Sequence, residues 1–432
     1  MPNIVTNKFK ISNAKSFLDS YTVSGENTLY MFLAKPDPWG ANDFPPDPKD
    51  SQQNYSKTWD EIVSLKRIIS TNMVNVIKRI NWLPQTIYAE YDHEDIELLT
   101  KNFYVINRDL DVYKCFDNVG GSVSTVEPTG KSLNIFTTSD SYKWKYLYSV
   151  STSDKLKFLT DNWMPVRTNS DVATVAKDGA IENIKIYNGG LDYSIYSRVN
   201  IEGDGVNANI SAKQNLGVIY DFVYTNAGSK YRFANVYISD NQGTGRLANI
   251  KAILSPVNGH GYDPVVELGA YYVMLNVKAE YNEGYGDFPT GFSFRKIGIV
   301  KNPMRPGNIL ANATTLSGLI GINVSNVNGT FINNEYLVGI TSKANAYAVT
   351  SNVVSGNGYI RYIQSFGTTE NYKPFTIGES VIGRTSGATA IVTQSLISEV
   401  MQDTGEILYL ENREPVTRTI DQTDNLHLVI EF

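Results

Sequence analysis

Phe331-Ile332-Asn333-Asn334-Glu335-Tyr336-Leu337-Val338-Gly339-Ile340-Thr341-Ser342-Lys343-Ala344-Asn345-Ala346-Tyr347-Ala348-Val349 decides the fold, because the chain writes it twice. Phe331, Glu335, Gly339, Thr341, Ser342, Ala344, Ala346 and Val349 return at one fixed offset as Phe375, Glu379, Gly383, Thr385, Ser386, Ala388, Ala390 and Thr393. Each copy reads as a hairpin: a strand before the glycine, a Thr-Ser turn, then a strand turning small residues inward. One such unit has too little apolar surface to stand alone, so the two copies are expected to pack on each other.

A second repeat lies upstream. Ile186-Tyr187-Asn188-Gly189-Gly190-Leu191-Asp192-Tyr193 pairs with Val223-Tyr224-Thr225-Asn226-Ala227-Gly228-Ser229-Lys230-Tyr231. Gly203-x-Gly205-x-x-Ala208-x-Ile210-x-Ala212 then matches Gly243-x-Gly245-x-x-Ala248-x-Ile250-x-Ala252, and Asn258-Gly259-His260-Gly261-Tyr262 opens a partial third unit. The Gly-x-Gly segments mimic a dinucleotide fingerprint, but they precede alternating strands and lack a βαβ unit, so they are read as β-turn glycines. The fold class expected is mainly β with a few short helices, an α+β scaffold of antiparallel sheets or a β-sandwich carrying two small β modules. Residues 1–180, 263–305 and 394–432 would form the discontinuous scaffold. Residues 181–262 and 306–393 would be the inserted modules.

Helices are expected near the N-terminus, over 12–24 and 56–80. Ser56 stands before Trp59, Ile62, Val63 and Leu65, with Asp60 and Glu61 in the first turn. Between the two lie Pro36, Pro38, Pro45, Pro46 and Pro48. Proline fixes φ and removes donors, so this stretch must be an extended, stiff arm. In a scaffold subunit such an arm suits a contact with a neighbour. Pro38, Trp39, Pro45, Pro46 and Trp59 are therefore the candidate protein-interface residues, since tryptophans and rigid loops make good anchors. For Trp39 and Trp59 the competing reading is core packing.

The 432 residues exceed one ordinary core and suggest about two to four domains. Hydrophobic content of 42% against 19% charged is that of a folded protein rather than a disordered one. A formal charge of −6 with scattered lysines and arginines leaves no basic stripe for nucleic acid. No apolar run approaches the roughly 20 residues that span a bilayer, and Met1-Pro2-Asn3-Ile4-Val5 lacks a signal-peptide core, so a soluble cytoplasmic product is expected. Cys115, the single cysteine, is read as a buried structural thiol.

The C-terminus reads Gly405-Glu406-Ile407-Leu408-Tyr409-Leu410-Glu411-Asn412-Arg413-Glu414-Pro415-Val416, then Asp421-Gln422-Thr423 and Leu426-His427-Leu428-Val429-Ile430-Glu431-Phe432. Physically this is two short strands joined by a polar turn and tied into a sheet. Its wording resembles one family, the dimeric baseplate wedge subunit of T4-type contractile-tailed phages, through Tyr-x-Glu-Asn-Arg-x-Pro followed by Asp-Gln-Thr. Further segments resemble the same family in the same order. They are Asn27-Thr28-Leu29-Tyr30-Met31-Phe32 with Pro38-Trp39, Val112-Tyr113-Lys114-Cys115-Phe116-Asp117, Tyr142-Lys143-Trp144-Lys145-Tyr146-Leu147, and Phe294-Arg295-Lys296-Ile297-Gly298-Ile299-Val300 ending in Asn302-Pro303. The likeness covers roughly 1–165, 265–304 and 395–432 and leaves the repeats outside it. It implies a late structural protein of the virion, located in the tail baseplate. It further implies a homodimer that joins other wedge subunits through protein–protein interfaces.

Motifs for chemistry are weak. Gly130-Lys131-Ser132 lacks the earlier glycine of a phosphate loop, since Thr125 stands there, and Leu133-Asn134-Ile135-Phe136-Thr137-Thr138 is strand-like rather than helical. His93-Glu94-Asp95 is read as a polar turn, because His93, His260, His427 and Cys115 are too dispersed for zinc. No Gly-x-Ser-x-Gly elbow is present. The expectation is no enzyme, no cofactor and no metal; no membrane and no nucleic acid as partners. The alternative is a carbohydrate- or receptor-binding tail module whose tyrosines stack on sugars, and a glycan-degrading enzyme stands third.

Overall fold

The computed structural model describes residues 4–21, 27–242, 244–280, 289–364, 373–419 and 422–432. Strands make up 47% of the chain and helices 11%, so the protein is mainly β, built of antiparallel sheets with short helices. None of the described helices is long and apolar enough to cross a membrane. The chain divides into two compact units: residues 1–16, 74–274 and 429–432 form the first, and residues 17–73 and 275–428 the second. The expected scaffold is thus divided between two units.

The second unit is organised around Leu29–Ala34, a strand whose six residues are all buried. It pairs antiparallel with Ile62–Ile68 on one side and Phe292–Lys301 on the other. Thr315–Ser317 and Glu406–Arg418 complete a sheet of five. Tyr30, Phe32, Trp59, Ile62, Leu65 and Leu316 pack into its core.

Here the expected helix over 56–80 fails. The helix is Gln52–Glu61, begun by Ser51, whose hydroxyl accepts from Asn54 N at 3.3 Å. Asp60 and Glu61 therefore lie in its last turn, and Ser56 lies in its interior. Ile62–Ile68 and Met73–Lys78 are strands. The β-branched run at Ile62-Val63 and pairing on both flanks of Ile62–Ile68 outweigh a helix-like start. The first helix is Asn7–Asp19, and residues 22–24 of that expectation lie outside the described residues. The two C-terminal strands, Glu406–Arg418 and Thr423–Glu431, do not pair with each other; the first joins Phe292–Lys301 and the second belongs to a different sheet. Asp421 lies outside the described residues.

In the first unit the upstream repeat forms an exchanged pair of three-stranded copies. Ile181–Leu191 pairs with Arg246–Leu254, Ser197–Gly203 with Ala234–Asp240, and Val206–Asn215 with Val218–Ser229. Every ladder takes one strand from each copy. Gly205 and Gly245 lie in the connections between strands, as read, and packing adds a second reason for glycine there. A Cβ on Gly205 would lie 2.2 Å from Cγ of Tyr231, and one on Gly245 would lie 2.3 Å from Cδ1 of Tyr193. Neither glycine has a left-handed backbone, so it is the ring and not the dihedral that requires glycine at each. They are flat seats for buried tyrosine rings, each ring supplied by the opposite copy. Gly243 lies outside the described residues.

The downstream repeat closes into a barrel of six strands: Ile320–Asn328, Asn357–Ile363, Asn345–Val354, Tyr336–Gly339, Ser380–Gly383 and Thr389–Leu396, the last returning to the first. Ala344, Ala346, Ala348, Ala388 and Ala390 point into its core, as the alternation predicts. The recurring glutamates interlock the copies. Glu379 accepts from Thr341 N, Ser342 N and Ser342 Oγ at 2.9, 2.9 and 2.7 Å, and from Thr376 N at 2.6 Å. Glu335 does the same for Thr385 N, Ser386 N and Ser386 Oγ, at 3.2, 3.0 and 2.9 Å. A Cβ on Gly339 or Gly383 would strike the partner carboxylate, at 2.8 and 2.4 Å respectively. The Phe-x-x-x-Glu-x-x-x-Gly-x-Thr-Ser pattern is therefore one device: a buried carboxylate that closes the other copy's turn.

Three outcomes follow from this packing. Glu379→Ala leaves the donors of the Thr341-Ser342 turn without an acceptor, which should cost roughly 2–4 kcal/mol, read as faster hydrogen exchange of barrel amides. Burial alone would raise the Glu379 carboxyl, but the donors from Ser342, Thr376 and Thr341 overcome it and hold the pKa below its ordinary 4.5. Its contribution is therefore complete above that pH and drains as pH falls through the depressed folded value; Glu379→Gln should remove this acid dependence. In the other module, Gly245→Ala must displace the Tyr193 ring and should destabilise by about 1–3 kcal/mol, measured by urea unfolding.

Candidate functional site

The proline arm runs as an irregular segment over residues 35–50, as its composition requires. It is fastened along the Glu406–Arg418 strand of its own unit. Trp39 Nε1 donates to the Arg413 carbonyl at 2.8 Å, and Asn412 Nδ2 donates to the Pro46 carbonyl at 2.9 Å. Asp43 accepts from Trp39 N at 2.8 Å and from the Arg295 guanidinium at 2.9 and 2.7 Å. That arginine first, then the Trp39 amide, holds the Asp43 carboxyl below its usual range. Pro38 and Pro46 are exposed, Trp39 and Pro45 half-buried, and Phe44 between them is 73% exposed. Four of the five candidate interface residues thus share one braced ridge. Trp59 does not join them. It is 4% exposed beneath the Leu29–Ala34 and Ile62–Ile68 strands, because its helix turns that face to the core.

A second cluster, in the first unit, was not singled out from sequence. Lys114 on the Asp111–Asp117 strand is wholly buried and contacts both the Glu267 carboxylate and His260 Nδ1. His260 Nδ1 is also 2.8 Å from Glu267 Oε1, and Gly261 N donates to Glu267 Oε2 at 2.6 Å. The Tyr91 ring centroid lies 3.9 Å from Lys114 Nζ, and Tyr91 and Phe116 set their rings edgewise to the imidazole at 4.9 and 4.7 Å. Lys145 on the neighbouring Lys143–Ser149 strand pairs with Glu182 at 2.9 Å, at the wall of an open cavity of about 520 Å³. Two lysines thus face two glutamates, so the cluster is charge-balanced around a neutral imidazole.

The electrostatics follow from the packing. Burial pushes the Lys114 amine down to about 8, with Glu267 opposing that shift. Burial, then the Lys114 charge, pushes His260 down to about 4. For Glu267 burial acts upward, but Lys114 and His260 overcome it and hold the carboxyl far below its usual range. A faint sequence signal existed. Tyr113-Lys114-Cys115-Phe116 and Trp144-Lys145-Tyr146 put lysines inside otherwise apolar strands, and both strands are buried on both faces.

The remaining sequence-level candidates stay apart. Cys115 is fully buried, and burial raises its thiol well above the ordinary value, which makes it a packing residue. His93 lies in a turn, with Nδ1 accepting from Leu254 N at 3.3 Å, while Lys251 bridges Asp92 and Glu94 at 2.7 Å each. Lys131 is exposed and 3.3 Å from Asp111, and no helix follows it. Among the described residues no cluster of three His, Cys, Asp or Glu side chains is arranged to hold a metal ion. No protein-family model matches the chain, and no curated protein matches it either.

The buried imidazole gives a pH test with a definite sign. His260 takes its proton near pH 6.5 when unfolded and only near 4 when folded. Stability is thus complete above about pH 6.5 and drains as pH falls toward 4, because the unfolded state binds the extra proton. Unfolding midpoints measured across that window should slope for the parent, and His260→Gln should flatten the slope.

Proposed function

We propose that this chain is a structural virion protein, a baseplate wedge subunit of a contractile phage tail that joins wedge components through protein–protein interfaces. One observation carries the reading. The segments that resemble the wedge family are scattered along the sequence, yet they become neighbours in space. Asn27–Phe32, Phe294–Val300 and Tyr409–Pro415 fall on three adjacent strands of one sheet, and Val112–Asp117 pairs with Tyr142–Leu147 in another. Both repeat modules lie outside these segments, as additions to a shared scaffold would. The braced arm, with Pro38, Phe44 and Pro46 exposed on it, supplies a rigid surface whose conformational cost is already met before a partner arrives.

In this reading the protein is a homodimer, contacts other wedge subunits, and carries out no catalysis. Its location is the tail baseplate of the virion. Native mass spectrometry at micromolar concentration should show the dimer, and a particle reconstruction should place the chain in the baseplate wedges. A strictly monomeric chain found at fibre tips would favour the carbohydrate-binding alternative and overturn this one.

A further inference from the structure

We propose that Lys114 and Glu267 condense to an intramolecular amide, so that the mature chain carries a covalent cross-link between the Asp111–Asp117 strand and the short Pro264–Glu267 helix. Three features of the site converge on this chemistry. The amine and the carboxylate are in contact with both side chains almost fully shielded, 0% and 3% exposed. A single nitrogen, His260 Nδ1, touches both reactants, while His260 Nε2 has no partner. The Lys114 ammonium can only donate, so Nδ1 presents its lone pair there, which places the ring hydrogen on Nε2 and lets Nδ1 shuttle a proton between the two reactants. Finally, Gly261 N–H is aimed at Glu267 Oε2, where negative charge gathers during addition to the carboxyl carbon.

The step balances without an oxidant or a co-reactant. One proton leaves the Lys114 ammonium for His260 Nδ1 and passes on to Glu267 Oε1, giving a neutral amine beside a neutral acid. Low polarity brings this neutral pair closer in energy to the ion pair than it is in water. The Nζ lone pair attacks Cδ, the C–N bond forms, and the Gly261 amide holds the oxyanion. A second proton moves from nitrogen through Nδ1 to the Oε1 hydroxyl, the C–O bond breaks, and water departs. Of the three ammonium hydrogens, one stays on the amide and two leave in the water. The product replaces two buried charges with one neutral group. The folded protein can thereby shed the desolvation cost of both ions.

Other lysine–glutamate contacts lack this set. Lys145 and Glu182 pair at 2.9 Å at the wall of an open cavity, without an imidazole hydrogen-bonded to both. Lys296 beside Glu61 is also buried, but its neighbour is the Thr58 hydroxyl at 3.2 Å, which is no base at neutral pH.

The test is the intact mass of the purified full-length chain after denaturation. The parent should be lighter than its sequence by one water, and digestion should release a branched peptide joining Lys114 to Glu267. Lys114→Met should restore the full sequence mass. Glu267→Gln should still condense, now lighter by one ammonia, which separates chemistry at this carbonyl from an unrelated dehydration elsewhere. His260→Phe should yield mostly unlinked chain, with its fold checked by circular dichroism. A parent at full sequence mass without the branched peptide overturns the proposal, as does a lost water that maps to any other pair.

Discussion

A strand buried on both faces has nowhere to send its backbone hydrogen bonds except into two neighbouring strands, and Leu29–Ala34 is such a strand. Its partners come from residues 62–68 and 292–301, so the order of the second unit depends on segments far apart in sequence meeting correctly. Glu406–Arg418 can join only after Phe292–Lys301 is in place, since it pairs with that strand alone in the sheet. The proline arm in turn is fastened to Glu406–Arg418 through Trp39 and Asn412. The exposed ridge is therefore the last consequence of a chain of dependencies that begins with one buried strand. Non-local pairing of this kind is slow to form, because loop closure must precede the reward.

Both repeat modules solve the same problem in the same way. A single hairpin leaves unpaired edges and too little core. In the upstream module every ladder joins one copy to the other, and in the barrel the strands Tyr336–Gly339 and Ser380–Gly383 meet across the repeat. In the barrel each copy keeps its own hairpin but leaves an edge that the other copy fills, so in both modules one copy needs the other. The side chains enforce the exchange. Tyr193 needs Gly245 and Tyr231 needs Gly205, while Glu335 and Glu379 each close the other's turn. A carboxylate suits that last role because it accepts several hydrogen bonds at once, which an amide or hydroxyl cannot match.

What the sequence disclosed, and what it concealed, follow from range. Both repeats, their small inward residues and the stiff arm were legible, because each is written in residues close together. The helix over 56–80 was misread since Ser56, Asp60 and Glu61 imitate a start, whereas the competing interaction, pairing of Ile62–Ile68 with Leu29–Ala34, is non-local. The place of Gly205 and Gly245 between strands is legible, but their second role is not, because the ring that needs each glycine lies in the other copy. The meeting of Lys114 with His260 and Glu267 was illegible for the same reason: the lysine stands far from the other two along the chain, and its only local hint is its place inside an apolar strand.

Charge burial separates the two units' use of ions from ordinary surface pairing. A pair exposed on both sides, such as Arg246 with Asp192, contributes little, because solvent already satisfies each partner. Lys114 with Glu267, and Lys296 with Glu61, have no such alternative and must be matched within the fold. A mispaired intermediate that buried only one of them would carry an uncompensated charge, at a cost of several kcal/mol. Apolar strands slide past one another with little penalty for a wrong register, whereas a buried lysine tolerates one position only. In a chain this rich in short interchangeable strands, the buried ions therefore act less as a source of stability than as a selector of register. They fix which residues of Asp111–Asp117 and Phe292–Lys301 face which neighbours, and so hold in place the sheets on which the exposed surfaces are built.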